Sequence, residues 1–423
     1  MSEETGANVQ QLVGHLFRHE AGRMASVLTR LLGPNQIEVA EDIVQDSLIK
    51  AMELWPYHGI PQNPSAWLYK VAKNKTIDYI RSNQRKNKLE SALQEEMKSE
   101  WSMSSRVNQI FKEEEIQDSV LRMMFVCCHP SIPQESQIAL TLKTLGGLTS
   151  LEIANAFLTS EDTITKRIYR AKEKIKEEQL SMEVPTGTEL VVRLGSVLKV
   201  LYLLFNEGYN SSHPDMLVRE DLCEEAMRLT YLLIQYPITS QPRVKALVAL
   251  MCLHVARFPS RLDDKGVIIL LQDQDRTKWS RPLIERGMAF LRESFDGEQL
   301  TEYHVEAAIA SVHAVAKDFS NTNWTELLKL YQTLLELKPG PMVELNMAIA
   351  LGYARTADEG LKALGKISGL DNNHLYLAAL GNFCLMEGNK EAARQYFTQA
   401  ISHTTSNKEA ELLKRKISGT IAK

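Results

Sequence analysis

What this chain lacks narrows it first. No apolar run is long: the most hydrophobic stretch, VVRLGSVLKVLYLLF (191–205), is broken by Arg193 and Lys199 and falls short of the roughly 18–20 uninterrupted apolar residues that a membrane span needs. The opening MSEETGANVQQ carries neither a basic nor an apolar segment, so no secretory signal is expected. Cysteine is scarce, five in 423 residues, an odd count that suits reduced thiols in a cytoplasm. Cys127, Cys128 and His129 are metal-binding residue types, but adjacent cysteines do not make the CxxC clamp and no second pair follows at zinc spacing. No metal and no cofactor is expected. Alternating runs of Val, Thr and aromatics are few, while Leu, Ala, Glu, Lys and Met fill long stretches, which predicts an all-α protein. HExxH, the P-loop, GxSxG and GxGxxG are missing, so Glu207, Asp273, Asp275, His254, His304 and His313 are acid–base candidates with nothing to organise them. His304 and His313 read as helix-surface or core histidines, and Asp273, Asp275 and Arg276 as a polar network that fixes a loop. No catalytic residue is expected.

What is there begins with charge. A chain of this length holds two or three domains, and its net charge of −4 conceals segregation along it. From 70 to 88, Lys70, Lys73, Lys75, Arg81, Arg85, Lys86 and Lys88 face one acid, Asp78; a second cluster holds Lys166, Arg167, Arg170, Lys172, Lys174 and Lys176. Between them runs an acidic tract with Ser- and Gln-rich stretches, 89–118. Two basic helices joined by an acidic linker point to a polyanionic partner.

At 100° per residue, AWLYKVAKNKTIDYIRSNQRK (66–86) places Leu68, Val71, Ala72 and Tyr79 on one arc, with Ser65 as its expected cap. Lys70, Lys73, Asn74, Arg81 and Lys88 gather opposite, with Trp67 and Arg85 at the edge. An aromatic beside a basic stripe is the combination that grips unstacked bases. LTSLEIANAFLTSEDTITKRIYRAKEKIKEE (148–178) reads as two helices across a short turn. Thr149 and Glu152 make a capping box, and Ser160 caps the second helix. Ile164, Ile168, Ala171 and Ile175 form one buried stripe, leaving Lys166, Arg167, Arg170 and Lys174 outside it. That is a helix-turn-helix with a basic outer face, fit for a DNA major groove.

These segments resemble the extracytoplasmic-function sigma factors of bacteria, group 4 of the sigma-70 family. AEDIVQDSLIKAMELWP (40–56) is similar to region 2.2, which holds the clamp helices of RNA polymerase. NPSAWLYKVAKNKTIDYIRSNQRK (63–86) resembles regions 2.3 and 2.4, which open and read the minus-ten element. LTSLEIANAFLTSEDTITKRIYRAKEKI (148–175) resembles region 4.2, which reads the minus-35 element. By this resemblance Asp42, Gln45, Asp46 and Leu48 would face core polymerase. Trp67, Lys70, Lys73, Asn74, Arg81 and Arg85 would meet minus-ten DNA, and PYHGIPQNPS (56–65) would capture a flipped base. Thr163, Lys166, Arg167, Arg170 and Lys174 would reach the minus-35 groove.

The chain continues for about 240 residues beyond region 4, and a period of 33 emerges near its end. It relates Leu327, Gly360 and Ala393; Tyr331, Leu364 and Phe397; Leu334, Ile367 and Ala400; and Pro339, Asn372 and Thr405. These are the small, aromatic and Pro positions of tetratricopeptide-like repeats. LYLLFNEGY (201–209) and LLQDQDRTKWSRPLI (270–284) fit no repeat. The whole resembles a sigma-factor subfamily with a conserved middle segment and a repeat tail that influences activity. The expected domains are region 2 at 8–88, a linker at 89–118, region 4 at 119–182, a middle domain at 187–300 and repeats at 301–417. Expected partners are core RNA polymerase and promoter DNA, with no membrane; for the repeats the partner is a protein, a peptide or only the rest of this chain. The rival readings are a helix-turn-helix regulator with a repeat-type sensor domain, and a repeat scaffold whose basic helices bind another protein.

Overall fold

The computed structural model describes residues 2–88, 112–157, 159–210, 218–263, 267–297, 299–404 and 406–421. Among the described residues there is no strand, only an isolated antiparallel bridge between Leu262 and Ile268, so the protein is all-α. No helix among the described residues is long and apolar enough to cross a membrane. The expected linker falls largely on 89–111, outside the described residues. The chain divides into two compact units, Met1–Val200 and Leu201–Lys423.

The first unit opens with α1 (Ser2–Leu32), α2 (Ile37–His58) and α3 (Pro64–Lys88). They close around Met24, Leu28, Ala40, Val44, Leu48, Ala51, Trp55, Leu68 and Ala72. α4 (Glu113–Cys127) starts inside what the sequence reads as linker, and α5 (Gln134–Thr144), α6 (Ser150–Ala156) and α7 (Glu161–Glu177) follow. α5 is buried on every side, including Gln137, Ile138, Leu140, Thr141 and Leu142. Gln137 pairs its amide with the carbonyls of His129 and Ile132, which satisfies a polar group in the core. α1 approaches the turn after α5 so closely that a Cβ on Gly22 would collide with the Leu145 carbonyl. Only glycine fits there.

The unit boundary falls within α8 (Gly187–Tyr209). In the second unit, α9 (Glu220–Gln235), α10 (Pro242–Val255) and α11 (Arg281–Glu293) come before α12 (Glu302–Val315) and α13 (Trp324–Leu337). α14 (Pro341–Ala354), α15 (Ala357–Leu364), α16 (His374–Met386), α17 (Lys390–His403) and α18 (Asn407–Ile421) complete it. The helices α13, α15 and α17 begin at 324, 357 and 390, 33 residues apart as the sequence period requires. Leu327, Leu364, Ala393, Phe397 and Ala400 are buried at the repeated positions; Thr405 lies outside the described residues. Gly381 meets Phe397, and Gly352 and Gly360 meet Phe383, so aromatic rings of one helix fill the space that small residues leave on the next. This is tetratricopeptide-like packing, in which stacked helix pairs bury one another's faces.

Candidate nucleic-acid and partner interface

α2 has two distinct faces. Leu48 is 4% exposed and packs in the core, so it stands off the partner face that the resemblance implied for it. Asp42, Gln45, Ile49 and Met52, spaced 3, 4 and 3, line the opposite side, all exposed. Ile49 and Met52 are each 45% exposed, an apolar pair that sequence reasoning missed although the spacing carried the signal. Asp46 is exposed and bonded at 2.7 Å to Lys75 of α3.

The connection to α3 is shorter than the sequence suggests. α2 runs through His58 and α3 starts at Pro64, so the loop is Gly59–Asn63, bordered by Tyr57 at 86% exposure. Asn63, rather than Ser65, accepts from the Ala66 N–H at 2.9 Å, the role of an N-cap, with proline at the first helical position. Leu68, Ala72 and Thr76 are buried, while Lys70, Asn74 and Arg81 are exposed and Lys73 is half-buried. Trp67 is half-buried against the core and meets Trp55 edge-on at 5.4 Å, so much of its ring is committed to packing. The Arg85 side chain lies outside the described residues.

In region 148–178 both caps form. Thr149 and Glu152 complete the capping box, and Ser160 accepts from the Thr163 N–H. The Thr163 hydroxyl is itself 2.8 Å from Ser160 Oγ, so this residue belongs to the cap. Ile164, Ile168, Ala171 and Ile175 are buried. Lys166 and Arg170 are exposed, with Tyr169 at 58% beside them; this exposed aromatic was also missed. Lys166 pairs with Asp162 at 2.6 Å, Arg167 with Glu135, and Lys174 with Glu178 at 2.8 Å. The Glu178 hydrogen bond raises the Lys174 pKa. Water screens such exposed pairs, which contribute little, so phosphates can displace them at little cost.

Three ties join the two helical groups of this unit. Lys172 of α7 meets Glu41 of α2 at 2.7 Å, both largely buried. Thr144 donates to the same carboxylate at 3.1 Å, and Arg30 bridges Glu115 and Asp118 at 2.9 Å each. Cys127 and Cys128 are buried free thiols, burial pushes Cys128 up to about 12, and no metal-binding group forms among the described residues.

Family models agree with this geometry. Sigma-70 region 2 matches residues 16–86 and sigma-70 region 4 matches 122–175. A family of unknown function, DUF6596, matches 193–295. An uncharacterized protein of Rhizobium meliloti strain 1021 is 34% identical over 384 residues, covering 90% of each chain. The ECF RNA polymerase sigma-E factor of Haemophilus influenzae is 31% identical over 163 residues, 37% of this chain and 81% of that one. The sigma-E factor of Escherichia coli K12 is 26% identical over 158 residues, 36% of this chain and 78% of its own. The crystal structure of yeast Tom70 aligns with 99% of this chain and 89% of its own at a TM-score of 0.36 and 11% identity, a likeness too slight to carry any argument. With both sigma regions in order, each presenting an exposed basic helix, the chain belongs to the ECF family of RNA polymerase sigma factors, which direct promoter-specific transcription initiation.

Proposed function

We propose that the α2 stripe of Asp42, Gln45, Ile49 and Met52, with Asp46 beside it, is the face that holds core RNA polymerase in the cytoplasm. The observation that carries this reading is the pair of exposed apolar side chains among acids on a helix with no DNA-binding character. Desolvated apolar anchors within a polar rim supply most of the affinity of protein interfaces. Lys70, Lys73, Asn74 and Arg81 of α3, with the Gly59–Asn63 loop, meet minus-ten DNA. Lys166, Arg167 and Arg170, joined by Tyr169, enter the minus-35 groove. Basic groups supply affinity, and contacts to base edges supply sequence choice. The chain itself carries out no covalent step.

The ties between α2 and α7 must break for this work. Elements about 25 base pairs apart are separated by roughly 85 Å of duplex, whereas a 200-residue unit is only about 43 Å across. The Glu41–Lys172 and Arg30–Glu115 pairs therefore belong to a closed form that opens on polymerase. The C-terminal extension regulates this activity. Arg193 of α8 is buried and donates to the Phe125 carbonyl at 2.9 Å, so a truncation that tests the tail should keep α8 and end after Tyr209.

Run-off transcription with bacterial core polymerase, on promoter fragments from the source genome, tests the whole reading. Promoter-dependent transcripts are expected, and output should change on truncation after Tyr209. Duplex binding that persists without polymerase, with no transcripts, would sink the reading in favour of a helix-turn-helix regulator.

A further inference from the structure

The two segments that fit no repeat, 201–209 and 270–284, meet at the C-terminal end of α10. Tyr209, from the first, stands 4.5 Å from the His254 ring, and the Arg261 guanidinium lies 3.6 Å over its face. Trp279, from the second, donates to Ser260 at 2.7 Å. The guanidiniums of Arg257 and Arg276 sit 5.3 and 5.1 Å from the Trp279 ring. Three arginines thus share one neighbourhood, with Arg261 7% exposed, Arg276 8% exposed and Arg257 half-buried.

None of the three forms an ion pair among the described residues; their hydrogen-bond partners are neutral. Arg257 reaches Gln274 Oε1 at 3.3 Å, and Arg261 bonds Asn210. Arg276 donates to the carbonyls of His313 and Ala316 at 2.6 and 2.9 Å. The Arg276 charge therefore has a structural explanation, because those carbonyls form the negative end of α12. Arg257 follows the C-terminal end of α10, but neither its guanidinium nor that of Arg261 donates to a helix-end carbonyl among the described residues. Arg261 Nη1 is buried with no partner, as are His254 Nδ1 and His313 Nδ1. Neutral or protonated, an imidazole brings no negative charge, and burial first and the neighbouring guanidiniums second hold both rings neutral, near a pKa of about 3. A buried cation left unpaired is costly, and aromatic faces offset only part of that cost. Among the described residues no anion pairs with Arg257 or Arg261.

We propose that Arg257 and Arg261 form a binding site for the phosphate group of a small phosphorylated molecule, with half-buried Arg257 as its point of entry. The class follows from the donors: planar guanidinium forks pair oxyanions through two parallel hydrogen bonds, and an excess of cations favours a dianion over a single carboxylate. Tyr209 and Trp279 fix the planes of the guanidiniums before the anion arrives.

Isothermal titration of the full-length protein with inorganic phosphate, at constant ionic strength set by chloride, tests this. One saturable site per chain is expected, retained in Arg170→Gln, which removes an exposed cation of α7, and lost in Arg257→Gln. Arg257→Lys, which keeps the charge and loses the fork, should bind about tenfold more weakly, and it serves if the glutamine variant does not fold. Absence of a saturable site overturns the proposal, and so does equal binding by wild type and both Arg257 variants. Loss in Arg170→Gln would overturn it too, by assigning the phosphate to the DNA-reading face.

Discussion

Two sets of basic residues, one in each unit, do opposite work. In the first, Lys70, Arg81, Lys166 and Arg170 stand on exposed helix faces, and those that pair do so mostly with acids one turn away, as Lys166 does with Asp162. Water screens these charges, so exchanging an acid for a phosphate costs little. In the second, Arg261 and Arg276 are buried among aromatic rings and form no ion pair among the described residues, where every unmet donor is expensive. Local density of basic residues therefore identifies a working surface only where an apolar stripe shows which face is outward. The buried arginines are sparse in the sequence, and nothing in their spacing sets them apart.

The contrast breaks most visibly at α2, if the exposed face of the first unit is not its working face. Ile49→Asp with Met52→Asp should lower the thermal midpoint only slightly, because both side chains are 45% exposed and the cost is confined to weaker helix propensity and like charges one turn away. It should weaken polymerase binding by at least about 30-fold, the effect of losing one interface anchor worth about 2 kcal/mol. Fluorescence anisotropy against core polymerase checks this, and unaltered affinity would remove α2 from the interface. The second unit should respond instead to acid. His254 and His313 have folded pKa values of about 3, below an unfolded value near 6.5. Their contribution to stability is complete above pH 6.5 and is lost as pH falls toward 3, at up to about 1.4 kcal/mol per pH unit for each ring. Urea midpoints at pH 7 and 5 should show that loss, and His254→Gln should flatten it. A smaller effect is expected at Gly381, where an added Cβ would lie 2.7 Å from the Phe397 ring. Gly381→Ala should cost about 1–3 kcal/mol by overpacking and leave polymerase affinity intact.

How much of this was legible depends on periodicity. The buried stripe of α7, the capping box at Thr149 and the 33-residue register of α13, α15 and α17 each follow from spacing, and spacing is written in the sequence. On α2 the same rule went unused: Leu48 follows Asp42 by six residues and so falls off its face, while Ile49 and Met52 stay on it. Trp67 was harder to place, because a half-buried ring against Trp55 depends on another helix. Glu41 with Lys172, and Arg30 with Glu115 and Asp118, were beyond reach for the same reason. They join residues more than 80 positions apart, and no local pattern encodes such a pair. The arginine cluster likewise gathers from three segments.

The smallest expected effect separates the two units most sharply, because it holds the chemistry constant. Thr149 and Asn389 both cap helices: Thr149 Oγ1 accepts from the Glu152 N–H at 3.1 Å, and Asn389 Oδ1 accepts from the Ala392 N–H at 3.1 Å. Replacing either by alanine removes one bond to an orphan helix donor and should cost about 1 kcal/mol. At Thr149 the hydroxyl also donates to Glu152 Oε2 at 2.9 Å, a second bond that alanine loses and that helps fix the start of α6, against which α7 is set. Thr149→Ala should therefore weaken promoter binding beyond what its stability loss explains, whereas Asn389→Ala should lower only the thermal midpoint. Equal loss of promoter binding in both variants would mean that the repeat stack supports DNA reading as directly as the helix-turn-helix does.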